Sequence, residues 1–447
     1  MKRLIHLLVF SFCCTALQIQ AQDKIWSLND CLSYAVAHSS KISNQQAQNS
    51  IYHQNFMEAV GSLLPSLKAY TTTYLNFGRG LDAETNTYID NNSFSNSYVI
   101  YSSLTLFDGL SGINKVKMQK INKLKGILQL QNIIDATAYD TMEAFFNVVY
   151  FQEMIKLAEQ QLAESSQQLV QIKKMQQLGM KSAPDVAEIA SKEAADQYNL
   201  THRQNIYRIG IIQLKEKMNF PIEDELQVKF EADLPLPTKE QTTALDIFQT
   251  AQENNPKLQI SAKALHAQDM AYKSARGSLW PTINAEAGWS TNFARYMDGS
   301  DYRSFKEQFH EKRGYYVGFT LSIPLFSGFS RSAGIRRNKA LLIITQNDYN
   351  DARRTLYAEI AQAITDMNGL ADEYAQAGKQ TAAAEEAYRM NQQKYTQGLV
   401  SILDLHTSEN KRQEARINRL NARFKYELKS RLVEYYKGKP LFESVNQ

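Results

Sequence analysis

The sequence predicts a mainly α-helical chain with a membrane β-barrel, built from a duplicated unit of two strands and long coiled-coil helices per half. Three observations carry that expectation. Landmarks recur in order half a chain apart, each half holds two aromatic-rich alternating stretches, and each holds a proline-free helix-forming stretch of about 69 residues.

The landmarks set the frame. Gly61-Ser-Leu-Leu-Pro-Ser-Leu67 recurs as Gly277-Ser-Leu-Trp-Pro-Thr-Ile283, an offset of 216. Leu106-Phe-Asp-Gly109 recurs as Leu325-Phe-Ser-Gly328, and Gly179-x-x-Ser182-x-x-Asp185 as Gly398-x-x-Ser401-x-x-Asp404, both at an offset of 219. A unit used twice per chain excludes most readings that need one active site.

The elements follow in order. Residues 1–21 have the basic start, apolar stretch and small final residue of a secretory signal peptide, with cleavage expected after Ala21. Cys13 and Cys14 leave with it, so Cys31 stays alone, without an intramolecular disulfide, and is expected as a small buried apolar residue. The first half is 22–219: a helix from Leu28 to about Leu63, strands 66–78 and 95–107, a long helix 110–178 and a return helix 184–218. A linker, 220–243, carries Pro221, Pro235 and Pro237. The second half is 244–437, with a first helix to about Leu279, strands 282–293 and 314–326, a long helix 329–397 and a return helix 403–436; 438–447 is a tail.

The strands read from their period of two. Ile283, Ala285, Ala287, Trp289, Thr291 and Phe293 share a face against Thr282, Asn284, Glu286, Ser290 and Asn292. Tyr98, Ile100, Leu104 and Leu106 share one, as do Tyr315, Val317, Phe319, Leu321, Ile323 and Leu325 against Tyr316, Gly318, Thr320 and Ser322. Polar loops, roughly 78–95 and 294–313, join the strands of each pair. No apolar run after the signal approaches the ~20 residues of a membrane helix. Strands of about ten residues with one long outer loop match outer-membrane barrel hairpins. Four strands close neither a soluble sandwich nor a barrel, so several chains must combine.

The long helices have heptad spacing. Ile155, Leu162 and Leu169 lie seven apart, and so do Ile360, Met367, Tyr374, Thr381, Tyr388 and Tyr395, with Ile364, Ala371 and Gly378 between. At 1.5 Å per residue each stretch makes a rod of roughly 100 Å. First and return helices are each half that length, which predicts an equator where their ends meet beside the linker. A fibrous stalk uses the same spacing, but the strand pairs argue against it.

Chemistry is sparse. The mature histidines, at 38, 53, 202, 266, 310 and 406, have no metal-ligand spacing, and no phosphate loop is present. No enzyme, cofactor or metal site is expected. His406 reads as a solvated helix residue rather than a proton relay. Without Lys2 and Arg3, 48 basic residues face 46 acids, so nucleic acid has no electrostatic support.

Together the paired Leu-Phe-x-Gly landmarks and the Tyr395-x-x-Gly398-x-x-Ser401-x-x-Asp404 turn resemble the TolC family of outer-membrane channels, over essentially the whole mature chain. The resemblance implies a homotrimer in the outer membrane of a Gram-negative bacterium, with a twelve-stranded barrel in lipid continued by a periplasmic α-helical barrel. The outer face of that barrel would carry Tyr98, Ile100, Leu104, Leu106, Trp289, Phe293, Val317, Phe319 and Leu321. It implies a passive efflux duct for small molecules such as drugs, toxic compounds or metabolites. Its tip turns (Gly179, Met180, Ser182, Gly398, Leu399, Ser401) would dock a periplasmic adaptor of an inner-membrane pump. It also places a gate at Asp404, Thr407, Asp185 and Tyr395, where Thr407 replaces a second aspartate ring and Val400 the latch arginine. Ser182 and Ser401 with Asp185 and Asp404 fit helix caps equally well. A type I protein-secretion duct and a periplasmic coiled-coil adaptor are the alternatives.

Overall fold

The computed structural model describes residues 25–81, 86–90, 92–229, 235–297 and 303–442; the expected signal peptide lies outside them. In chain order the elements are β1 (Ile25–Trp26), α1 (Leu28–His38), α2 (Ser40–Gly61), β2 (Ser66–Asn76), β3 (Arg79–Leu81), β4 (Tyr88–Asp90), β5 (Ser93–Phe107), α3 (Ser111–Gln177) and α4 (Ala183–Met218). The second half follows with β6 (Gln227–Val228), α5 (Ala244–Asn254), α6 (Pro256–Gly277), β7 (Thr282–Tyr296), α7 (Phe305–Glu311), β8 (Gly314–Ser322), α8 (Ser330–Thr396) and α9 (Ile402–Tyr436). Two compact units result, and each draws on both halves: Gln45–Gln129 with Pro256–Arg354, and Met1–Asn44 with Leu130–Asn255 and Thr355–Gln447.

The first of these units is built on one antiparallel sheet in the order β2-β5-β7-β8. Its registers are Ser66↔Ser103, Ile100↔Trp289 and Thr282↔Ser322. Directly opposed residues share a face. One face therefore collects Leu67, Leu75, Phe94, Tyr98, Ile100, Leu104, Ile283, Trp289, Phe293, Val317, Phe319 and Leu321. The other carries Lys68, Ser97, Asn284, Glu286, Ser290 and Thr320, with Tyr70, Tyr101 and Tyr316 among them. Among the described residues no helix is long and apolar enough to cross a membrane.

Several expectations change in this sheet. Leu106 does not share the ladder of Leu104: a bulge between Thr105 and Phe107 sets Phe107 opposite Ile283. β8 stops at Ser322 because Pro324 has no N–H to give a neighbour; Leu325, beyond it, is 92% exposed. The first polar loop contains the β3–β4 hairpin. The second contains α7, started by a reciprocal cap in which Glu307 N–H donates to Ser304 Oγ (3.3 Å) and Ser304 N–H to the Glu307 carboxylate (2.9 Å).

Helix α7 folds back on the apolar face. Phe305 and Phe309 pack on Tyr98, Trp289 and Phe293 at centroid separations of 5.3–6.2 Å. Those three predicted outer-face residues are therefore half-buried under the loop helix rather than bare. β7 runs beyond the start of β8, which leaves its edge open there. Gln308, 2% exposed, fills the gap: its amide accepts from Ala294 N–H (3.1 Å) and donates to Ala294 C=O (2.9 Å).

The strand–helix junctions explain the Leu-Phe-x-Gly landmark. Gly109 (φ 68°) and Leu110 (φ 64°), and again Gly328 (φ 58°) and Phe329 (φ 65°), are left-handed in succession. A Cβ on Gly109 would lie 2.2 Å from Gly277 O, so the two backbones touch there.

The second unit is helical. Phe145, Met142, Leu32, Leu214 and Met218 are fully buried at its centre with Cys31, and β1 pairs with β6 in parallel. The first helix of each half is not continuous. It breaks at Ser39, whose Oγ caps Ile42 N–H at 3.5 Å, and at Asn255, which Pro256 holds extended. The linker lies along the later helices. Tyr426 exchanges hydrogen bonds with the backbone of Thr238, and Glu240 N–H donates to Asn368 (2.7 Å). On α8 the buried stripe is Leu356, Ile360, Ala363, Met367, Ala371, Ala377, Thr381 and Tyr388; its buried small positions are Ala363, Ala371 and Ala377, so Ala371 falls in the stripe while Ile364 and Gly378 do not. On α3 the stripe runs through Met154, Ala158, Gln161, Ser165 and Ile172, one position off the expected Ile155, Leu162 and Leu169.

Gln308→Leu leaves the Ala294 N–H and C=O without partners at little change in volume. A loss of about 1–3 kcal/mol is expected, measured as a lowered urea midpoint of the refolded protein in detergent.

Candidate functional site

The turns α3–α4 and α8–α9 are copies, bond for bond. At the first, Met180 N–H returns to Met175 C=O and Gly179 N–H to Gln176 C=O, both at 2.9 Å; at the second, Leu399 returns to Lys394 (2.9 Å) and Gly398 to Tyr395 (3.0 Å). This closing motif needs a left-handed residue, supplied by Gly179 (φ 73°) and Gly398 (φ 74°). The next helix then starts on a full capping box. Ser182 Oγ donates to Asp185 Oδ2 and Ser401 Oγ to Asp404 Oδ2, each at 2.7 Å. The serine oxygens accept from the N–H groups of Asp185 (3.4 Å) and Asp404 (3.2 Å), and the carboxylates accept from the N–H groups of Ser182 (2.9 Å) and Ser401 (3.2 Å). These bonds hold both carboxyls below their ordinary range.

Asp404 is exposed at the end of a groove of about 490 Å³ lined by Ala384, Ala387 and Asn391 of α8 and by Val400, Thr407, Ser408 and Lys411. The exposed Thr407 hydroxyl donates to its own helix, at Leu403 C=O (2.8 Å). The half-latch of Tyr395 and Asp185 is not made: the buried Tyr395 hydroxyl has no hydrogen-bond partner. Lys181 lies over its ring at 4.8 Å instead. Burial, then the charges of Asp185 and Glu188, raise the Tyr395 hydroxyl. Beneath the turns, Ile172, Ile189, Ile402 and Leu405 form a small apolar core with Tyr388.

Deeper in the same four helices lies a polar cluster that sequence reasoning missed. Glu409 is 0% exposed. Its Oε1 accepts from the Gln161 amide of α3, and its Oε2 has no partner. Arg412 reaches Glu164 of α3 at 2.5 Å while stacking on the Tyr388 ring of α8 at 3.8 Å. Lys192 pairs with Asp196 on α4 at 2.6 Å. Three acids thus face two cations, one charge out of balance. Burial pushes the Glu409 carboxyl up to about 7, with the Lys192 charge acting against the rise and the Asp196 charge adding to it. His406 faces the same group half-buried, and burial lowers it, so it is not the solvated residue expected. A local sign existed: Ile402, Leu405, Glu409 and Arg412 continue one helical stripe, with charge where apolar residues belong.

Residues 247–432 match the outer membrane efflux protein family. That match covers most of the second half. The first half repeats its tip geometry bond for bond, so the duplication extends the same architecture across the chain. Solved structures agree on the fold. CusC, a transmembrane channel, shares 14% identity at a TM-score of 0.80, covering 92% of each chain. The outer membrane protein VceC of Vibrio cholerae shares 13% at 0.79, covering 93% of this chain and 96% of its own. The MtrE outer membrane channel of Neisseria gonorrhoeae, in its open state, shares 18% at 0.75, covering 94% and 91%. No curated protein sequence matches.

The Glu409 position gives these packed helices a pH response of defined sign. Its carboxyl ordinarily titrates near 4.5 but near 7 here, so between those values the folded helices keep a proton the opened ones release. Stability of the packed helices is full below 4.5 and falls as pH rises towards 7; His406, lowered, opposes the trend. Hydrogen-exchange protection of α9 around Glu409 is expected to drop between pH 5 and 8 on the order of tenfold beyond intrinsic exchange. In Glu409→Gln that drop disappears.

Proposed function

We propose that three copies of this chain form a passive outer-membrane exit duct that docks periplasmic adaptors of an inner-membrane pump and exports small molecules. The observation that carries the reading is the four-stranded sheet. Its apolar face suits lipid, its polar face suits a lumen, and its edge strands β2 and β8 each have one neighbour among the described residues. In a bilayer an open edge is untenable, so further strands must close it. Twelve strands from three copies fall within the range of known barrels.

In this reading the tip turns at Gly179, Met180, Ser182, Gly398, Leu399 and Ser401 meet the adaptor. Asp404 faces the pore at its narrow end, and Thr407 adds no second acidic ring. The missing Tyr395–Asp185 bond, with Val400 in place of an arginine, favours a constriction held by packing rather than by a latch.

Purified protein is expected to conduct ions in a planar bilayer without any cofactor; silence in bilayers would count against the duct. Divalent cations on the tip side should block that conductance through Asp404. Asp404→Asn should weaken the block several-fold, whereas undiminished block would leave Asp404 only its cap.

A further inference from the structure

Charge is spread unevenly along this chain. Over the whole sequence 50 basic residues face 46 acids. Past the first strand–helix junction, however, residues 109–134 hold Lys115, Lys117, Lys120, Lys123 and Lys125 and no acid. Past the second, residues 328–347 hold Arg331, Arg336, Arg337 and Lys339, again with no acid. The repeat offset of 219 lays Lys117 on Arg336 and Lys120 on Lys339, so two cations keep their places in both copies. Acids on the adjoining segments are few. Asp108 caps the Gly112 N–H at 2.6 Å, Asp269 pairs with Lys273 at 2.8 Å, and Glu58 of α2 is exposed.

The repeated cations lie on a side of the helix that no neighbour covers. On α3, Met118 and Ile121 pack on Ala267 and Met270 of α6. Lys123 lies over the Phe56 ring of α2 at 5.8 Å, and Gly126 faces Asn49 and Tyr52 of the same helix. Lys117 and Lys120, three apart, are left together on the exposed face. Arg336 and Lys339 are exposed at the same places on α8. Between these cations and the sheet, the junctions expose large apolar groups: Trp280, Leu325, Phe326 and Phe329. An apolar sheet face, then exposed aromatics, then cations is the order of side chains that a bilayer surface selects.

We infer that this basic collar seats the anionic headgroups of phospholipids in the leaflet that the strand–helix junctions meet, with Lys117, Lys120, Arg336 and Lys339 as its contacts. The inference rests on the membrane duct proposed above and names a lipid partner for it. The distances suit that partner. Lys117 and Arg336 stand eight residues past Gly109 and Gly328, and Lys120 and Lys339 eleven. Those counts are about 12 and 16 Å along a helix. Helical side chains lean back over the turn before them, here towards a headgroup layer about 5–8 Å deep. In about 0.1 M salt a charge is felt over about 10 Å, so all four positions act on that layer. Each basic residue so placed adds to the attraction of an anionic leaflet.

The test uses the full-length oligomer, stripped of lipid in detergent and offered phosphatidylglycerol or phosphatidylcholine with the same acyl chains. Bound lipid is counted by native mass spectrometry. Phosphatidylglycerol should be retained at least about fivefold better, and loading in about 0.5 M salt should remove that preference. Changing Lys117, Lys120, Arg336 and Lys339 together to Gln should remove it too, with helix content and bilayer conductance kept. Either pair changed alone, Lys117 with Lys120 or Arg336 with Lys339, should lower it part of the way, a reading that stands if the fourfold variant does not fold. The same loss of charge at the exposed Lys41, Lys173, Lys379 and Lys425 of the helical unit should leave the preference intact. Equal retention of the two lipids by the native protein overturns the collar, as does a preference that survives the junction changes. Glycerol phosphate, the headgroup without its chains, should not displace the bound lipid at equal concentration; displacement would overturn a lipid surface in favour of a phosphate pocket. Absence of conductance in a bilayer overturns the duct itself.

Discussion

Everything in this chain answers to the hydrogen bonds of strand edges. A backbone N–H or C=O facing hydrocarbon without a partner costs several kcal/mol, and a four-stranded sheet has two rows of them. The chain cannot cover those rows from its own resources. Among the described residues the loop helix α7 covers a few residues of β7, and the edge strands β2 and β8 keep one strand neighbour each. What it does supply is a hairpin made twice in one register. Strand pairing, apolar face and junction glycines are consequences of that one requirement.

The same duplication governs the helical turns, yet there the copies diverge. Both keep the closing glycine and the serine–aspartate box, because those residues satisfy backbone groups that any sharp helix turn leaves open. They differ in what surrounds the box. Around Asp404 there is a groove and an exposed Thr407; around Asp185, Lys181 lies over Tyr395. Below both turns the helices are joined by a charge cluster rather than by apolar contacts alone. Such a cluster is weak evidence for stability and better suited to a packing that changes.

How much of this is legible in the sequence depends on the range over which each signal acts. Alternation and heptads extend over ten to sixty residues, so strands, long helices and return helices can be read directly. Interruptions are local and compete with the pattern: Ser39 has the same effect as Pro256 but no comparable mark. The bulge at Leu106 depends on a partner strand far along the chain. Ser304-x-x-Glu307 is a readable cap, hidden by the polar surroundings of its loop. Glu409 and Gln161 are separated by 248 positions, and nothing local says that they meet. Of the tip, the capping boxes are legible because they are contained in four residues; the failed Tyr395–Asp185 bond is a matter of side-chain distance and is not.

Gln308 has one more implication. By presenting an amide that both gives and accepts, it lets a single side chain stand for a residue of β-strand at the open edge of β7. The hairpin's outer end is therefore not bound to a fixed chain length. What the edge of β7 requires is one turn of helix that delivers a glutamine to Ala294.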